Sequence, residues 1–415
     1  MKSILTSIAA NTLLAALAIA QTPRYTVTDL GTLGGTSSDA YGINYAGRVA
    51  GAASLPNGNT HAFLSGPGDT MYDLGTLGGP NSEASGPNAS YQVPILAETS
   101  KKDPFGNDFC GFGTNLICLP AVWNGTMTPL PTLGGNNGEA LVINNRGQVI
   151  GLAENSTRDD PSCPPPQALD FEAVLWGPNP GQVQELPPLP GDTVGFAFGL
   201  NNYGQVVGTS GTCANTPLLP FNYGPHAVLW QNGSPTAFAN LGGTMLGVGV
   251  GVNDLGEVVG GSDLPSEIPG FPFVQVHCTL YSKAGPEDLG TVGTDFSSLP
   301  TWINNNGQVV GASCDNMGNC RAFLWQNKVM MDLNALIPAN SPLYLIFPES
   351  INDAGEIVGL ALQTSTGETR AFVATPTNPA AAGSSPPAAQ AAESPMVLSE
   401  NARKQLQQRL RFGRR

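Results

Sequence analysis

The stretch Ile143-Asn-Asn-Arg-Gly-Gln-Val-Ile-Gly151 decides the fold, because its pattern returns at a nearly constant interval along the chain. Clear copies occupy residues 200–208, 252–260, 303–311 and 351–359, a looser copy occupies 43–51, and a degraded copy lies around 88–93. A mean interval of about fifty residues is typical of propellers and related arrays, in which each repeat is one supersecondary unit. The chain is therefore predicted to contain seven such repeats.

Each repeat predicts four strands, termed a, b, c and d in chain order. Strand a ends at the first Asn of the pattern (the motif Asn), and Asn-x-x-Gly predicts a tight turn because Gly supplies the positive φ that closes a hairpin. Runs such as 205–208 predict strand b, segments such as 226–230 predict strand c, and segments such as 71–74 predict strand d. Four tryptophans share one phase of the repeat and are predicted to pack between blades: Trp123, Trp176, Trp230 and Trp325.

The two ends of the repeat array predict a closed ring. Residues 25–30 look like a strand d with no repeat before it, and the last repeat ends after strand c at Val373. An N-terminal strand that completes the last blade explains both facts and removes exposed sheet edges, whereas an open solenoid would need caps that the sequence lacks. We therefore predict an all-β, seven-bladed β-propeller of about fifty-residue, four-stranded repeats over residues 21–375.

These repeats resemble the HAF family of extracellular repeat proteins, named for the tripeptide that begins strand c, here His61-Ala-Phe63. The resemblance spans residues 25–375 and is most specific in Asp29–Gly35 and Asp73–Gly79, which share the sequence Asp-Leu-Gly-Thr-Leu-Gly-Gly. It implies export and a propeller-like repeat fold, and it implies no known activity. The second repeat departs from the pattern at Pro94, which predicts an irregular blade.

Both termini carry segments that lie outside the predicted propeller. Residues 1–20 combine Lys2, an apolar stretch and the small-residue sequence Ala18-Ile-Ala20, which predicts a cleaved secretory signal and a secreted, extracellular or cell-surface protein; a membrane anchor is the alternative, although the stretch is short for one. Residues 376–395 are rich in Ala, Pro and Ser and predict a linker. Residues 396–415 predict a basic amphipathic helical tail that contacts an anionic membrane, a wall polymer or the protein's own acidic body, or else frays in solvent.

The charge of the chain argues against nucleic acid as a partner. The net charge is −14, and residues 21–375 contain 29 acidic against 10 basic residues. Nucleic-acid binding needs Lys and Arg to neutralise phosphates, so an acidic body excludes it. The same charge is compatible with Ca²⁺, with a cationic partner, or with simple solubility.

Six of the seven cysteines form three pairs by position, which disulfides in an exported protein would explain. The candidate disulfides are Cys110–Cys118, Cys314–Cys320 and Cys163–Cys213, the last between neighbouring repeats. Cys278 remains, in a buried-looking strand, and is predicted to be a buried free thiol.

One position in strand a stands out as a candidate ligand site. The residue five before the motif Asn is acidic in three consecutive repeats and apolar in the next four: Asp39, Glu83, Glu139, Phe196, Val248, Leu299 and Phe347. We expect this position near the mouth of the central channel, where carboxylates could hold Ca²⁺ or bind a sugar whose apolar face rests on Phe196 or Phe347. A solvated acidic rim above ordinary packing is the alternative.

The loops between strands b and c are long and unlike one another, and six cysteines lie in or beside them. Variable loops on a rigid scaffold commonly carry binding sites, although loops also drift where nothing constrains them. The sequence therefore predicts a non-catalytic scaffold that binds a glycan, a polymer or a protein through this face. The alternative is a glycoside hydrolase or lyase that uses Glu83 and Glu139.

Other chemistry finds little support in the sequence. The three histidines, His61, His226 and His277, occupy the same repeat position in blades 1, 4 and 5, which predicts a polar residue at the start of strand c rather than a shared metal site. A nucleophile elbow, a His-Glu-x-x-His motif and a phosphate-binding loop are all absent from the sequence. We therefore expect no catalytic and no metal-ligating residues.

Overall fold

The computed structural model describes residues 25–66, 70–158, 160–161, 163, 168–179, 181–213, 224–265, 275–377, 395–398, 400 and 403. Within these residues the chain forms seven four-stranded antiparallel sheets, which are the seven blades of a propeller. The predicted secretory signal at 1–20 and all but residues 376–377 and 395 of the predicted linker lie outside the described residues.

Each blade runs from strand a at the channel to strand d at the rim. Blade 1 consists of β2 Ser38–Ile43, β3 Val49–Ser54, β4 Thr60–Ser65 and β5 Met71–Asp73, and blade 2 consists of β6 Gly78–Ala84, β7 Val93–Lys102, β8 Leu116–Trp123 and β9 Met127–Pro129. Blade 3 consists of β10 Gly134–Ile143, β11 Val149–Asn155, β12 Phe171–Trp176 and β13 Val183–Glu185, and blade 4 consists of β14 Val194–Leu200, β15 Val206–Gly211, β16 His226–Gln231 and β17 Ser234–Ala237. Blade 5 consists of β18 Gly247–Val252, β19 Val258–Asp263, β20 Val276–Ser282 and β21 Gly285–Asp288. Blade 6 consists of β22 Ser297–Ile303, β23 Val309–Cys314, β24 Cys320–Gln326 and β25 Val329–Asp332. Blade 7 consists of β26 Leu343–Ile351, β27 Ile357–Gln363, β28 Thr369–Pro376 and the N-terminal strand β1 Tyr25–Asp29.

The N-terminal strand closes the ring, as the sequence predicted. Strand β1 pairs antiparallel with β28, with Tyr25 opposite Pro376 and Asp29 opposite Phe372, so the last sheet has the order β1-β28-β27-β26. The Nε of Arg370 lies 3.5 Å from a carboxylate oxygen of Asp29 and adds an ion pair across this joint. Closure pairs the strand edges that an open array would expose to other chains.

The motif Asn explains why one pattern recurs in every blade. Its Nδ2 donates a hydrogen bond of 2.9–3.1 Å to the main-chain carbonyl of the motif Asn in the next blade. The bonds form a closed ring through Asn44, Asn88, Asn144, Asn201, Asn253, Asn304, Asn352 and back to Asn44. The side-chain Oδ1 accepts from backbone N–H groups two and four residues later, at 3.0 Å from Tyr203 and Gln205 in the case of Asn201. One side chain therefore both closes the turn and joins two blades.

Blade 2 is irregular, as Pro94 predicted, but in strand a and the a–b turn and not in strand b, which runs through Pro94 without a break. Strand β6 ends at Ala84, four residues before its motif Asn, whereas the other a strands end directly before theirs. The turn itself is kept, because Tyr91 takes a φ of 60° where the six other turns have Gly at 70–81°. Pro94 lies within β7, and its carbonyl accepts a 2.9 Å hydrogen bond from the backbone N–H of Ser85. The blade keeps four strands, and Asn88 keeps its bond to the next blade without a glycine in the turn.

The cysteines have the states that the sequence predicted. Disulfides join the three expected pairs: Cys110–Cys118, Cys163–Cys213 and Cys314–Cys320. Cys278 is free and buried, and burial raises the pKa of its thiol well above the usual range. Two of the four in-phase tryptophans, Trp176 and Trp230, are fully buried in inter-blade clusters, and the other two are half-buried against such clusters.

Helical structure is sparse in the part of the chain that the structure describes. A 3-10 helix, Leu333–Leu336, follows β25 and is capped by the side chain of Asp332. Within the predicted tail at 396–415, Glu400 and Arg403 have helical backbone, and most of the remaining tail lies outside the described residues. No helix among the described residues combines the length and the apolar character that crossing a membrane requires.

Candidate functional site: the central channel

A β-bulge in strand a decides which side chains face the channel. In blade 1, Ala40 pairs with Gly51 and Gly42 pairs with Ala50, which leaves Tyr41 as the extra residue. The same register shift occurs in blades 3 to 7, and bulges of this kind re-aim a side chain. The residues three before the motif Asn all line one cavity of about 220 Å³: Tyr41, Ser85, Leu141, Phe198, Val250, Thr301 and Glu349.

Close contact between the a strands keeps this channel narrow. A Cβ atom on Gly42 would lie 2.4 Å from the Cα of Gly86, so blades 1 and 2 meet there by backbone alone. In blade 6 the same repeat position holds Trp302, which lines both the main cavity and a second cavity of about 180 Å³ nearer the a–b turns. The channel therefore contains two cavities, and Trp302 lines both of them.

The main cavity combines three carboxyl groups with an apolar wall. Glu83, Glu139 and Glu349 come from blades 2, 3 and 7, and the hydroxyl of Tyr41 donates to a carboxylate oxygen of Glu83 at 3.4 Å. Glu349 is half-buried in the channel wall, and burial raises its pKa to about 8. Blades 3 to 6 contribute the apolar side chains Leu141, Phe198, Val250 and Trp302. Such a cavity can accept hydrogen bonds along one edge of a ligand and pack against another.

The structure brings two of the five predicted site residues into this cavity. Glu83 and Glu139 line it, whereas Asp39 is fully buried away from it. Phe196 is half-buried, and its ring stacks on that of Phe198 with the centroids 6.4 Å apart. Phe347 is buried beneath Leu398 of the C-terminal tail.

Sequence reasoning missed the bulge residues, which lie two positions nearer the motif Asn. Tyr41, Phe198 and Glu349 are the principal examples. The signal that could have found them is the chemical diversity of the residue three before the motif Asn, which is aromatic, aliphatic, hydroxylated or acidic in different repeats. That diversity is visible in the repeats, but a bulge is needed to explain it.

At the end of the channel formed by the a–b turns, polar side chains form hydrogen bonds between neighbouring blades. The residue after the motif Asn accepts from the backbone N–H of its counterpart, as Asn202 Oδ1 does from Asn145 at 2.8 Å. Asp254, Asn305 and Asp353 repeat this contact in the following blades. Tyr203 and Leu255 are more than two-thirds exposed on the same surface.

The histidines pair with carboxylates in separate parts of the molecule. The Nδ1 atoms of His61, His226 and His277 lie 2.8–2.9 Å from oxygens of Asp73, Asp192 and Asp288, respectively. Each pair joins the start of strand c to a strand d or to a connector, in keeping with the predicted role of a polar residue there. Within the described residues, one group, Asp160, Cys163 and Cys213, has metal-ligand spacing, and its two sulfur atoms are bonded to each other in a disulfide.

Neither a protein-family model nor a curated protein matches this chain. Solved structures that are similar in fold include the β-propeller domain of the Trilobed protease from Pyrococcus furiosus, with a TM-score of 0.46 and 8% identity over 85% of this chain and 94% of that chain. TolB from Acinetobacter baumannii has a TM-score of 0.36 and 8% identity over 76% of each chain. The Aleuria aurantia lectin AAL has a TM-score of 0.32 and 10% identity over 78% of this chain and 99% of that chain. From its own sheets and their order, this protein is a seven-bladed β-propeller closed by its N-terminal strand.

Proposed function

We propose that this protein is an exported β-propeller of the HAF type that binds a glycan, without turnover, in the main cavity of its channel. The observation that carries the proposal is the composition of the cavity wall, in which the carboxyl groups of Glu83, Glu139 and Glu349 lie beside apolar side chains such as Phe198. A sugar offers hydroxyl groups that carboxylates bind and an apolar face that packs on aromatic rings. The cavity of about 220 Å³ is below the roughly 300–1,000 Å³ of drug-sized sites, which favours one terminal sugar over a longer chain.

The loop between strands b and c of blade 2 supports access from the predicted face. Phe109 and Cys110 of this loop line the main cavity, and the Cys110–Cys118 disulfide constrains the loop. The ring of Phe109 also packs against Phe171 of blade 3, with centroids 5.0 Å apart. A rigid scaffold with fixed loops loses little conformational freedom on binding, and this favours affinity.

Three disulfides and the N-terminal residues support export. Disulfides persist in oxidising compartments and are rare in the cytosol, and the structure contains three of them. Residues 1–20 have the pattern of a secretory signal, and residues 29–35 and 73–79 have the HAF pattern.

A glycan array followed by titration calorimetry of the best ligand tests the binding role. Glu83→Gln and Phe198→Ala are each expected to weaken binding about tenfold or more, since a lost charged hydrogen bond or aromatic contact costs on the order of 1.5–3 kcal/mol. Glu185→Gln and Tyr72→Ala change exposed side chains on d strands and are the matched controls. Unchanged affinity in both cavity variants would remove the cavity from the proposal, and a blank array would favour a protein partner.

A glycoside hydrolase or lyase is the second candidate, and the raised pKa of Glu349 favours it. A glycosidase needs one protonated carboxyl as general acid and one ionised carboxylate as nucleophile or base. With a pKa of about 8, Glu349 keeps its proton at neutral pH and could be the acid, with Glu83 or Glu139 as its partner. Turnover in a hydrolysis screen that Glu349→Gln abolishes while binding persists would establish this activity, and a screen without turnover supports the scaffold.

A further inference from the structure

A short piece of the C-terminal tail lies in a groove between blades 6 and 7. Leu398 is 1% exposed and belongs to one buried apolar cluster with Phe347 and Leu362 of blade 7 and Cys320 of blade 6. Pro395 is also buried, whereas Met396 and Val397 face solvent. The segment Pro395–Leu398 therefore has two anchoring side chains that flank two exposed ones.

Side chains of the propeller also bind the backbone of this segment. The N–H of Leu398 donates to Oδ1 of Asn319 at 3.0 Å, and the N–H of Met396 donates to the hydroxyl of Tyr344 at 3.1 Å. The bond from Leu398 is buried, and a buried backbone donor is costly when unsatisfied, so this bond fixes the position of the segment along the groove. The contacts combine apolar anchoring with backbone recognition, as in other sites that bind an extended peptide.

The side of the groove that holds Asn319 depends on a disulfide. Asn319 lies within the short loop that Cys314–Cys320 closes, and it donates from its backbone N–H and its Nδ2 to the carboxylate of Asp315 at 2.9 and 2.8 Å. These bonds turn its Oδ1 towards the tail. The same disulfide places Cys320 against Leu398, so one covalent bond supports both the polar and the apolar contact.

Charge complements these contacts. Burial by itself would raise the pKa of Asp315, but hydrogen bonds from Asn319 and Met317 together with the nearby Arg403 lower it overall. The positive charge of the tail thus lies beside an acidic side chain of the same loop. The attraction between Arg403 and Asp315 favours the docked state, and it does so less at high salt.

We propose that the groove between blades 6 and 7 is a docking site for the chain's own residues 395–398, and that the Cys314–Cys320 disulfide is required for docking. A dithiol reductant gives two electrons and two protons to this disulfide, which becomes two thiols while the dithiol becomes a disulfide. The loop around Asn319 then loses its covalent closure and is held by the backbone hydrogen bonds of the hairpin alone, and the tail leaves the groove. Docking completes the buried cluster that contains Phe347 and Leu362, so release also exposes part of this apolar surface of blades 6 and 7.

Hydrogen–deuterium exchange of the full-length protein tests this inference. The amides of Met396 and Leu398 are expected to be protected in the oxidised protein and to exchange faster in the double variant Cys314→Ser/Cys320→Ser. The expected acceleration is about tenfold to a hundredfold, which corresponds to losing the burial of one leucine side chain. The matched control is Cys110→Ser/Cys118→Ser, which removes the short-loop disulfide of blade 2 and leaves the tail site intact.

Two further substitutions separate the anchor from the rest of the segment. Leu398→Ala removes the buried side chain and is expected to reproduce the loss of protection, whereas Val397→Ala changes a side chain that is 73% exposed and is expected to leave protection unchanged. Faster exchange of β23 or β24 in the cysteine variant would mean that the substitutions also disturb blade 6 itself. In that case, Asn319→Ala tests the hydrogen bond to Leu398 with the disulfide intact.

Three results would overturn the inference. Rapid exchange of Met396 and Leu398 in the oxidised wild-type protein would mean that the groove is empty. Unchanged protection in the cysteine variant and in Asn319→Ala would mean that docking does not depend on this loop. Protection that appears only as dimers form at higher protein concentration would assign the groove to the tail of a second copy.

Discussion

The two ends of the central channel differ in how much they vary from blade to blade. At the turn end, formed by the a–b turns, every blade places an Asn whose side chain binds the next blade. Towards the loop end, formed by the b–c loops, the residue three before each motif Asn lines the channel. It is Tyr, Ser, Leu, Phe, Val, Thr and Glu in blades 1 to 7, respectively. The comparison indicates that repetition marks the joints of the ring, whereas diversity marks the cavity wall at which we propose that a glycan binds.

The physical reason lies in what each end must satisfy. The motif Asn is buried and occupies both its donor and acceptor groups, so a replacement leaves buried polar groups of two blades without partners. The bulge residue projects into a cavity and is not part of the sheet ladder, so its identity can change without opening the ring. Mutations at the two ends should therefore separate stability from binding.

The largest effect is expected for Asn304→Ala at the turn end. The side chain donates to the carbonyl of Asn352 at 2.9 Å and to Gln308 at 2.7 Å, and it accepts from two backbone N–H groups. Losing these bonds is expected to lower the free energy of unfolding by about 3 kcal/mol, measured by urea denaturation. Asn306→Ala is the control, because it removes a side chain of the same turn whose one bond to the next blade, to the carbonyl of Asp353 at 2.8 Å, is exposed to solvent. Equal effects of the two substitutions would contradict the role of the Asn ring.

An intermediate and pH-dependent effect is expected for Glu349→Gln in the cavity. Burial raises the pKa of Glu349 from 4.5 to about 8, so the folded protein holds a proton that the unfolded chain releases between these pH values. The free energy of unfolding therefore falls as pH rises through this window, because the native state binds more protons. Glu349→Gln is expected to raise it by roughly 1–3 kcal/mol at pH 7.5, with a smaller gain at pH 5.

Urea denaturation at several pH values measures this difference between wild type and variant. Glu185→Gln, on the exposed strand β13, is the control and is expected to show no such pH-dependent gain. A gain for Glu349→Gln that is the same at pH 5 and pH 7.5 would show that burial of its charge is not the cause.

The smallest effect is expected for Tyr203→Ala, which tests whether the turn end binds a ligand. Tyr203 is 71% exposed beside the second cavity. Its removal is expected to change the free energy of unfolding by less than about 0.5 kcal/mol and to leave glycan affinity unchanged. A clear loss of affinity in calorimetry would place the binding surface at the turn end and reverse the comparison between the two ends.

Much of the fold could be predicted because the repeats supply the same information several times. The interval between repeats predicted the blades. The surplus strand predicted at 25–30 and the missing strand after Val373 predicted the closure, and the loop positions of the cysteines predicted all three disulfides. Of the candidate site, Glu83 and Glu139 were found, because their position shows an acidic run across consecutive blades.

The sequence by itself determined the architecture, because strand number, turn type and pairing partners follow from local pattern and from their repetition. Tertiary structure decided which residues meet in the channel. A one-residue bulge moves the side chains that follow it to the opposite face of the strand, and the sequence of a single repeat does not reveal the bulge. Only the fold could place Glu349 in the cavity, and only the fold could bring Leu398 to Phe347. Both depend on contacts between residues of different blades, or of blade and tail, that no local pattern encodes.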